Sequence, residues 1–422
     1  MRPVFIGASP NTEKDDIKLA WKLLFQPWNW KQDKADSVKE FEKIVSEYHD
    51  GINAIAMDSA RSAFYLLLKA YGIGPGDEVV LPSFSCLVIA NPVIWVGAKP
   101  VYVDIDKKTF NLELEDLKKK ITKNTKAVLV QHTFGLPVEL EKVREIVGKD
   151  VKIVEDIAHS LGGVYKGQKI GTIGDAAVAT FGIEKVISSV RGGMVFVKDD
   201  EISEKIRKEL ESAPQFSLIR IKIALLNPIL WSIITPVYYI GIGKATIGRA
   251  FSFIAHKLGI MGIMIEKCEY DTQKPSWIPA RMPSALARLG MNQFKKLDSF
   301  NNHRREIAKI YEQKFGTFKV DENSKHNYLR YPLLVEPENR SKIYNDASKK
   351  HFVLGNWYKN ILYAPDASLE KLGYKKGDTP NAEWVAERII NLPTAVNVTQ
   401  AQAREVLDLV DKRKKEGTLA KN

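Results

Sequence analysis

The chain has 422 residues, 45% of them hydrophobic and 27% charged, a globular composition long enough for two domains with real cores. Its two cysteines, Cys86 and Cys268, lie far apart without metal-ligand spacing, which argues against a disulfide framework or a zinc site and fits a reducing cytoplasm. A net charge of +12 suits nucleic acid, an anionic membrane or anionic substrates, but no basic motif interleaved with aromatics occurs, so nucleic acid is not expected.

The opening MRPVFIGASP lacks the apolar run of a signal peptide. From Gly51 onward, short apolar runs alternate with helical patterns. NAIAM reads as a strand and SARSAFYLLLKAYGI as a helix; EVVLP, PVYVDI, AVLVQHTF and KIVEDI read as further strands. Between them LVIANPVIWVG, LELEDLKKKI and ELEKVREIVG read as helices. This rhythm predicts an α/β fold with a mostly parallel sheet, whose chemistry sits at the carboxyl ends of its strands. It gives way near Glu201 to a long apolar stretch. MPSALARLGMNQFKKLDSFNNHRREIAKIYEQKF then reads as one long amphipathic helix, and the segments after it as a small α+β domain. The expected division is residues 1–215 as a large α/β domain, 216–270 as an apolar insertion, and 271–422 as the connecting helix and small domain. KKEGTLAKN at the end is expected to fray.

Three positions carry candidate chemistry. Asp156 ends the strand KIVED, Lys185 follows it by 29 residues, and Ser59 opens a helix directly after NAIAM. A carboxylate against a pyridine nitrogen keeps the ring protonated, a lysine amine can capture an aldehyde and move a proton, and a Ser-capped helix N-terminus can hold a phosphate. These are the requirements of pyridoxal phosphate (PLP) chemistry. By spacing alone, the acid and the lysine also read as a surface salt bridge.

GIGPGDEVVLPSFS, GAKPVYVDID, TKAVLVQHTFGLP, VEDIAHSLGGVYKGQKIGTIGDAA and RGGMVFVKDDE follow one another in the order of the DegT/DnrJ/EryC1/StrS family. RMPSALARLGMNQFKKLD and AERIINLPTAVNVT extend the resemblance toward the C-terminus. It implies a fold type I aminotransferase: a large PLP-binding domain with a mostly parallel central sheet and a smaller C-terminal α+β domain. It implies that Lys185 binds the cofactor covalently, that Asp156 faces the ring nitrogen, that His159 contacts the ring-oxygen side, and that Thr180 helps hold the phosphate. Ser59, Ala60 and Arg61 match the family's Ser-Gly-Thr phosphate turn, and Cys86 matches a ring-stacking position that is often aromatic. The departures matter. Arg61 lacks the threonine hydroxyl and is expected to meet the phosphate with its charge instead, because an unpaired cation in a first helical turn opposes the dipole. Cys86 reads equally as a cofactor contact or a small buried hydrophobe. Pro279 replaces an asparagine that in the family reaches a neighbouring subunit's phosphate. Arg191, before Gly192 and Gly193, reads as a contact to an acidic substrate group or, more simply, as a solvated loop residue.

Ala224 to Gly243 contains 20 residues without a charge. Pro228 and Pro236 are expected to interrupt it, and basic residues flank both sides. A single span would separate Lys185 from the C-terminal part, so the expectation is a bent hairpin dipping into the cytoplasmic leaflet. Trp231, Tyr238 and Tyr239 would lie near the interface, and KATIGRAFSFIAHKLGIMGIM would form a basic amphipathic helix. The alternative is a protein interface or lid. Together these readings point to transfer of an amino group from an amino acid, glutamate by expectation, to a nucleotide-linked keto sugar. The enzyme is expected to be a cytoplasmic homodimer with a membrane-facing surface. Other PLP chemistry, dehydration or an aldol-type step, and a non-catalytic membrane-associated scaffold are the alternatives; a lysine at 185, where dehydratase relatives carry histidine, favours transamination.

Overall fold

The computed structural model describes residues 3–419 except 8, 243, 244, 263 and 365, with residues 242 and 416–419 described by backbone alone. Two helices, α1 (Lys14–Leu24) and α2 (Ser37–Tyr48), precede the first strand of the main sheet. That sheet has seven strands: β1 (Asn53–Met57), β2 (Glu78–Pro82), β3 (Lys99–Val103), β4 (Thr125–Gln131), β5 (Lys152–Asp156), β6 (Ala176–Thr180) and β7 (Gly193–Val197). Their spatial order is β1-β7-β6-β5-β4-β2-β3. All run parallel except β7, which is antiparallel to both β1 and β6. Apolar runs such as Ile153–Val154 and Val128–Leu129 are buried on both faces, as a covered parallel sheet requires.

Register decides where the site falls. Gln131 pairs with Asp156, and Asp156 with Val178, so β4, β5 and β6 end on one edge of the sheet. β7 runs the other way, so its first residue, Gly193, pairs with Met57 and Thr180 on that same edge. Helix α3 (Ala60–Ala70) springs from there, capped by Ser59, whose hydroxyl accepts the Ser62 N–H.

The apolar stretch departs from expectation. It is a continuous helix, α4 (Leu218–Val237), with both prolines inside it. Pro228 is buried beside Asn227, whose side-chain oxygen accepts the Ser9 hydroxyl at 3.0 Å, so packing holds the helix where local preference would kink it. The chain reverses only afterwards, through a short hairpin at Gly241–Thr246, into α5 (Ile247–Lys257). Trp231 and Tyr238 are partly buried and both pack on Phe5, with centroids 5.7 and 4.6 Å away, and Tyr239 stacks on His351.

The long helix expected after Met282 is two helices, α6 (Ser284–Phe294) and α7 (Leu297–Phe315). Lys296 leaves helical geometry (φ −102°, ψ 0°), and its ammonium sits among the Asp15 and Asp16 carboxylates at 2.9–3.0 Å. Beyond α7, a separate apolar cluster gathers Ile307, Tyr331, Ile343, Phe352 and Val406 around the antiparallel pair β8 (Tyr331–Leu334) and β9 (Ile389–Leu392). The last helix, Gln400–Leu419, includes most of the segment expected to fray; residues 420–422 lie outside the described residues.

Candidate active site

A cavity of about 360 Å³ opens at the sheet edge just described. That size falls in the roughly 300–1,000 Å³ range of small-molecule sites. Ser59, Ala60 and Arg61 contribute from the start of α3, Asp156 from the end of β5, Thr180 from the end of β6, and Cys86, His159 and Lys185 from the loops between. Every residue expected to hold the cofactor therefore reaches one cavity.

At its floor lies a hydrogen-bonded group around His159. The Phe134 backbone N–H donates to His159 Nδ1 at 3.2 Å, which leaves the ring proton on Nε2. That nitrogen lies 3.1 Å from Lys185 Nζ and 3.3 Å from the Tyr358 hydroxyl. An N–H donor toward Nζ needs an amine with a free lone pair. Burial, reinforced by the Arg330 cation, lowers the Lys185 pKa, and burial with the neighbouring lysine holds His159 well below its ordinary value. Both shifts favour a neutral, nucleophilic lysine. Burial pushes the Asp156 carboxyl up, against the lowering pull of the Ala158 N–H at 2.9 Å and of Lys185. Such a carboxyl gains from a cation placed against it, as a protonated pyridine ring would be. The set of amine, carboxyl, capped helix end and Thr180 hydroxyl thus fits PLP.

The altered phosphate turn behaves differently from expectation. The Arg61 guanidinium forms a buried ion pair with Glu269 and donates to the Met264 carbonyl at 2.9 Å. Its charge is satisfied within the protein, so the helix-dipole argument for a bound phosphate does not hold for this side chain. Arg191 is no solvated loop residue; it is 7% exposed and lines the cavity. Cys86 sits on the cavity wall, its thiol pKa raised by burial. Pro279 is not among the cavity-lining residues.

Several lining residues went unread in the sequence. Gln131, at the end of β4, accepts from the Ser85 hydroxyl at 2.5 Å and was discoverable as a polar residue closing an apolar strand. Arg330 carried no local signal. It is 2% exposed, stacks 3.5 Å above the Trp357 ring and lies 3.4 Å from the Glu184 carboxylate. Trp357 and Tyr358 come from the GNWYKN loop at residues 355–360. Met264 and Ile265, the returning end of the apolar insertion, form another wall.

The comparisons with known proteins agree with this geometry. An uncharacterised protein of Methanocaldococcus jannaschii is 32% identical over 88% of this chain and 89% of its own length. A GDP-perosamine synthase of Escherichia coli O157:H7 is 24% identical over 90% of this chain and 91% of its own. Among solved structures, the PLP form of a sugar-aminotransferase candidate from Streptococcus pneumoniae superposes with a TM-score of 0.74 at 19% identity, covering 97% and 98% of the two chains. The family profile matches residues 13–215 and 253–411 and passes over 216–252, which hold α4. With most of its length so matched, the chain belongs to the DegT/DnrJ/EryC1/StrS aminotransferase family and is a PLP-dependent enzyme.

Proposed function

We propose that this enzyme, as a homodimer, transfers the amino group of an amino acid, glutamate, to the carbonyl carbon of a nucleotide-linked keto sugar. The observation that carries the reading is the pairing of Lys185 Nζ with the Nε2 of a tautomer-fixed His159, in one cavity with Asp156. Bound PLP supplies an electron sink for the carbanion formed when the substrate loses a proton. Asp156 holds the proton on the ring nitrogen. Lys185, kept neutral, takes the proton from the substrate carbon and returns it at the other end of the reacting system. His159 positions the lysine and feels its charge state. Trp357, Tyr358 and Tyr363 offer aromatic faces and hydroxyls to a sugar ring, and Arg330 a cation to an acidic group. The likeness to a GDP-perosamine synthase supports a nucleotide-linked acceptor.

The test is a pair of half-reactions. Glutamate should convert the visible absorbance of the lysine-linked cofactor to that of the amine form, and a panel of nucleotide-linked keto sugars should restore it. Lys185→Ala should abolish both. Failure of every amino acid to discharge the cofactor would refute the proposal. Light scattering checks the dimer.

We further propose that the enzyme works at an anionic membrane surface. On α4 and the residue-turns that follow it, Ile219, Ile223, Leu226, Leu230, Ile233, Val237 and Ile240 recur every three or four residues, all at least partly exposed. Ile247, Phe251, Ile254 and Leu258 make a second exposed stripe on α5. Residues 212–265 contain no Asp or Glu but include Lys222, Arg249 and Lys257, besides Arg220, which pairs with Glu266. An isologous contact between two copies would set these like charges near one another, whereas anionic lipid complements them. The inner side of α4 packs on the protein, which supports a helix lying on the surface rather than crossing it. Sedimentation with anionic but not zwitterionic vesicles, lost in Ile233→Asp/Phe251→Asp, is the expected result. Equal recovery in the supernatant with both would sink the reading.

A further inference from the structure

We infer that Arg191 supplies the charge that holds the cofactor's phosphate, in place of the contacts that the altered turn at Ser59–Arg61 and Pro279 no longer provide. The inference rests on the PLP reading of the cavity. A phosphate dianion at a helix N-terminus is held by backbone N–H groups and the helix dipole, and tightly only with a further cation or hydroxyls. Arg61 is spent on Glu269.

Arg191 reaches the same place by another route. Its turn is pinned: Val190 adopts a left-handed backbone (φ 70°), and the Ser189 hydroxyl donates to the Arg191 carbonyl at 2.7 Å. Two residues on, Gly193 packs against the first turn of α3 so closely that a Cβ would lie 2.1 Å from the Ser59 carbonyl carbon and 2.2 Å from the Ala60 nitrogen. Thr180 is its register partner, and the Thr180 hydroxyl donates to the Gly192 carbonyl at 3.4 Å. Helix start, threonine and arginine turn therefore converge on one end of the cavity, and all three line it.

The arginine's surroundings suit an anion. Its guanidinium lies over the Phe216 and Trp277 rings, 5.5 and 5.0 Å from their centroids. Aromatic faces orient the cation and shed its water. Burial, with repulsion from Arg61, brings its pKa down to about 10, still charged at neutral pH. Two carboxylates, Asp58 and Glu266, attract it; Asp58 accepts the Ser62 hydroxyl at 2.5 Å and the Ala280 N–H at 3.0 Å, and its own pKa is raised by burial. A purely structural role for Arg191, as counter-charge to Asp58 and Glu266, is thus the competing account.

The two are separated by titrating the apo-enzyme with PLP and with pyridoxal, which lacks only the phosphate, and following the absorbance of the lysine-linked ligand. Arg191→Gln should weaken PLP by roughly 10–100-fold, the range of a charge-assisted hydrogen bond, and leave pyridoxal within about twofold. Arg191→Lys, which keeps a point charge, should fall between. Weakening of both ligands alike, or of neither, overturns the assignment. Should Arg191→Gln fail to fold, Arg191→Lys decides, because loss of PLP preference in a folded lysine variant is expected only if the guanidinium meets the phosphate. Binding of neither ligand by the parent enzyme would refute the cofactor reading itself, a result distinct from the others.

Discussion

Asn11 lies outside the cavity, yet it fixes the backbone of the reactive lysine. It is 1% exposed, and its side-chain amide donates to the carbonyls of Lys185 at 2.6 Å and Val186 at 3.2 Å. Its oxygen accepts from Arg304 Nη2 at 3.0 Å, and the same guanidinium reaches the Val186 carbonyl at 2.6 Å and the Asn301 oxygen at 2.8 Å. Arg304 is fully buried, its acceptors are neutral, and burial brings its pKa down to about 9. Asn11→Ala removes two neutral hydrogen bonds at about 1 kcal/mol each and one to a buried cation at about 1.5–3 kcal/mol. We expect a loss of about 3–5 kcal/mol, read from urea unfolding followed by tryptophan fluorescence. Arg304→Met removes the buried charge as well as its bonds. The double variant should therefore lose less than the sum of the singles, by about 1–3 kcal/mol, as members of one network do. Cofactor capture should slow in Asn11→Ala because the lysine amine is no longer held against His159. A change under about 0.5 kcal/mol, or strict additivity with Arg304→Met, would show that the network does not act as a unit.

Other outcomes follow from the same geometry. Gly193→Ala sets a methyl into the backbone of Ser59 and Ala60, so PLP affinity should fall along with about 1–3 kcal/mol or more of stability, measured by cofactor titration and thermal melting. The Lys185 pKa is lowered in the folded state, so below 10.5 the unfolded chain binds more protons there, and the lysine opposes folding. Apo Lys185→Met should accordingly melt above the parent at neutral pH, with the gap closing as pH rises toward 10.5. His49, buried and held neutral with a pKa of about 4, takes up its proton in the unfolded chain near 6.5. The parent should therefore lose up to about 3 kcal/mol as pH falls from 6.5 to 4, by acid titration of its unfolding midpoint, a slope that His49→Phe lacks. Asp156→Asn should still capture PLP but discharge it with glutamate at least about 100-fold more slowly in stopped-flow absorbance, because a neutral amide cannot keep the ring nitrogen protonated.

The parts of the site readable in the sequence are those whose position follows from the chain's local rhythm. Short apolar runs end at Asp156 and Thr180, and a Ser-capped helix follows NAIAM, so the parallel sheet brings these residues to one edge. What escaped depends on partners distant in sequence. Arg61 looked like a phosphate ligand because its partner, Glu269, lies 208 residues away and leaves no trace beside it. The break at Lys296 depends on carboxylates of α1, and the unbroken course of α4 through two prolines depends on its packing. The first helix itself was legible in principle: Glu13 and Asp16 form a capping box ahead of its apolar face.

The two ends of the insertion lie beside the site. Phe216 lies under Arg191 as the chain leaves, Arg220 pairs with Glu266 at 2.8 Å across the stem, and the Met264 methyl lies against Gly182 as it returns, where a Cβ would approach to 3.2 Å. A displacement of either end of the insertion would therefore move the wall beside Lys185 or the ring beneath Arg191, so substitutions in the stem are expected to be felt in the cavity.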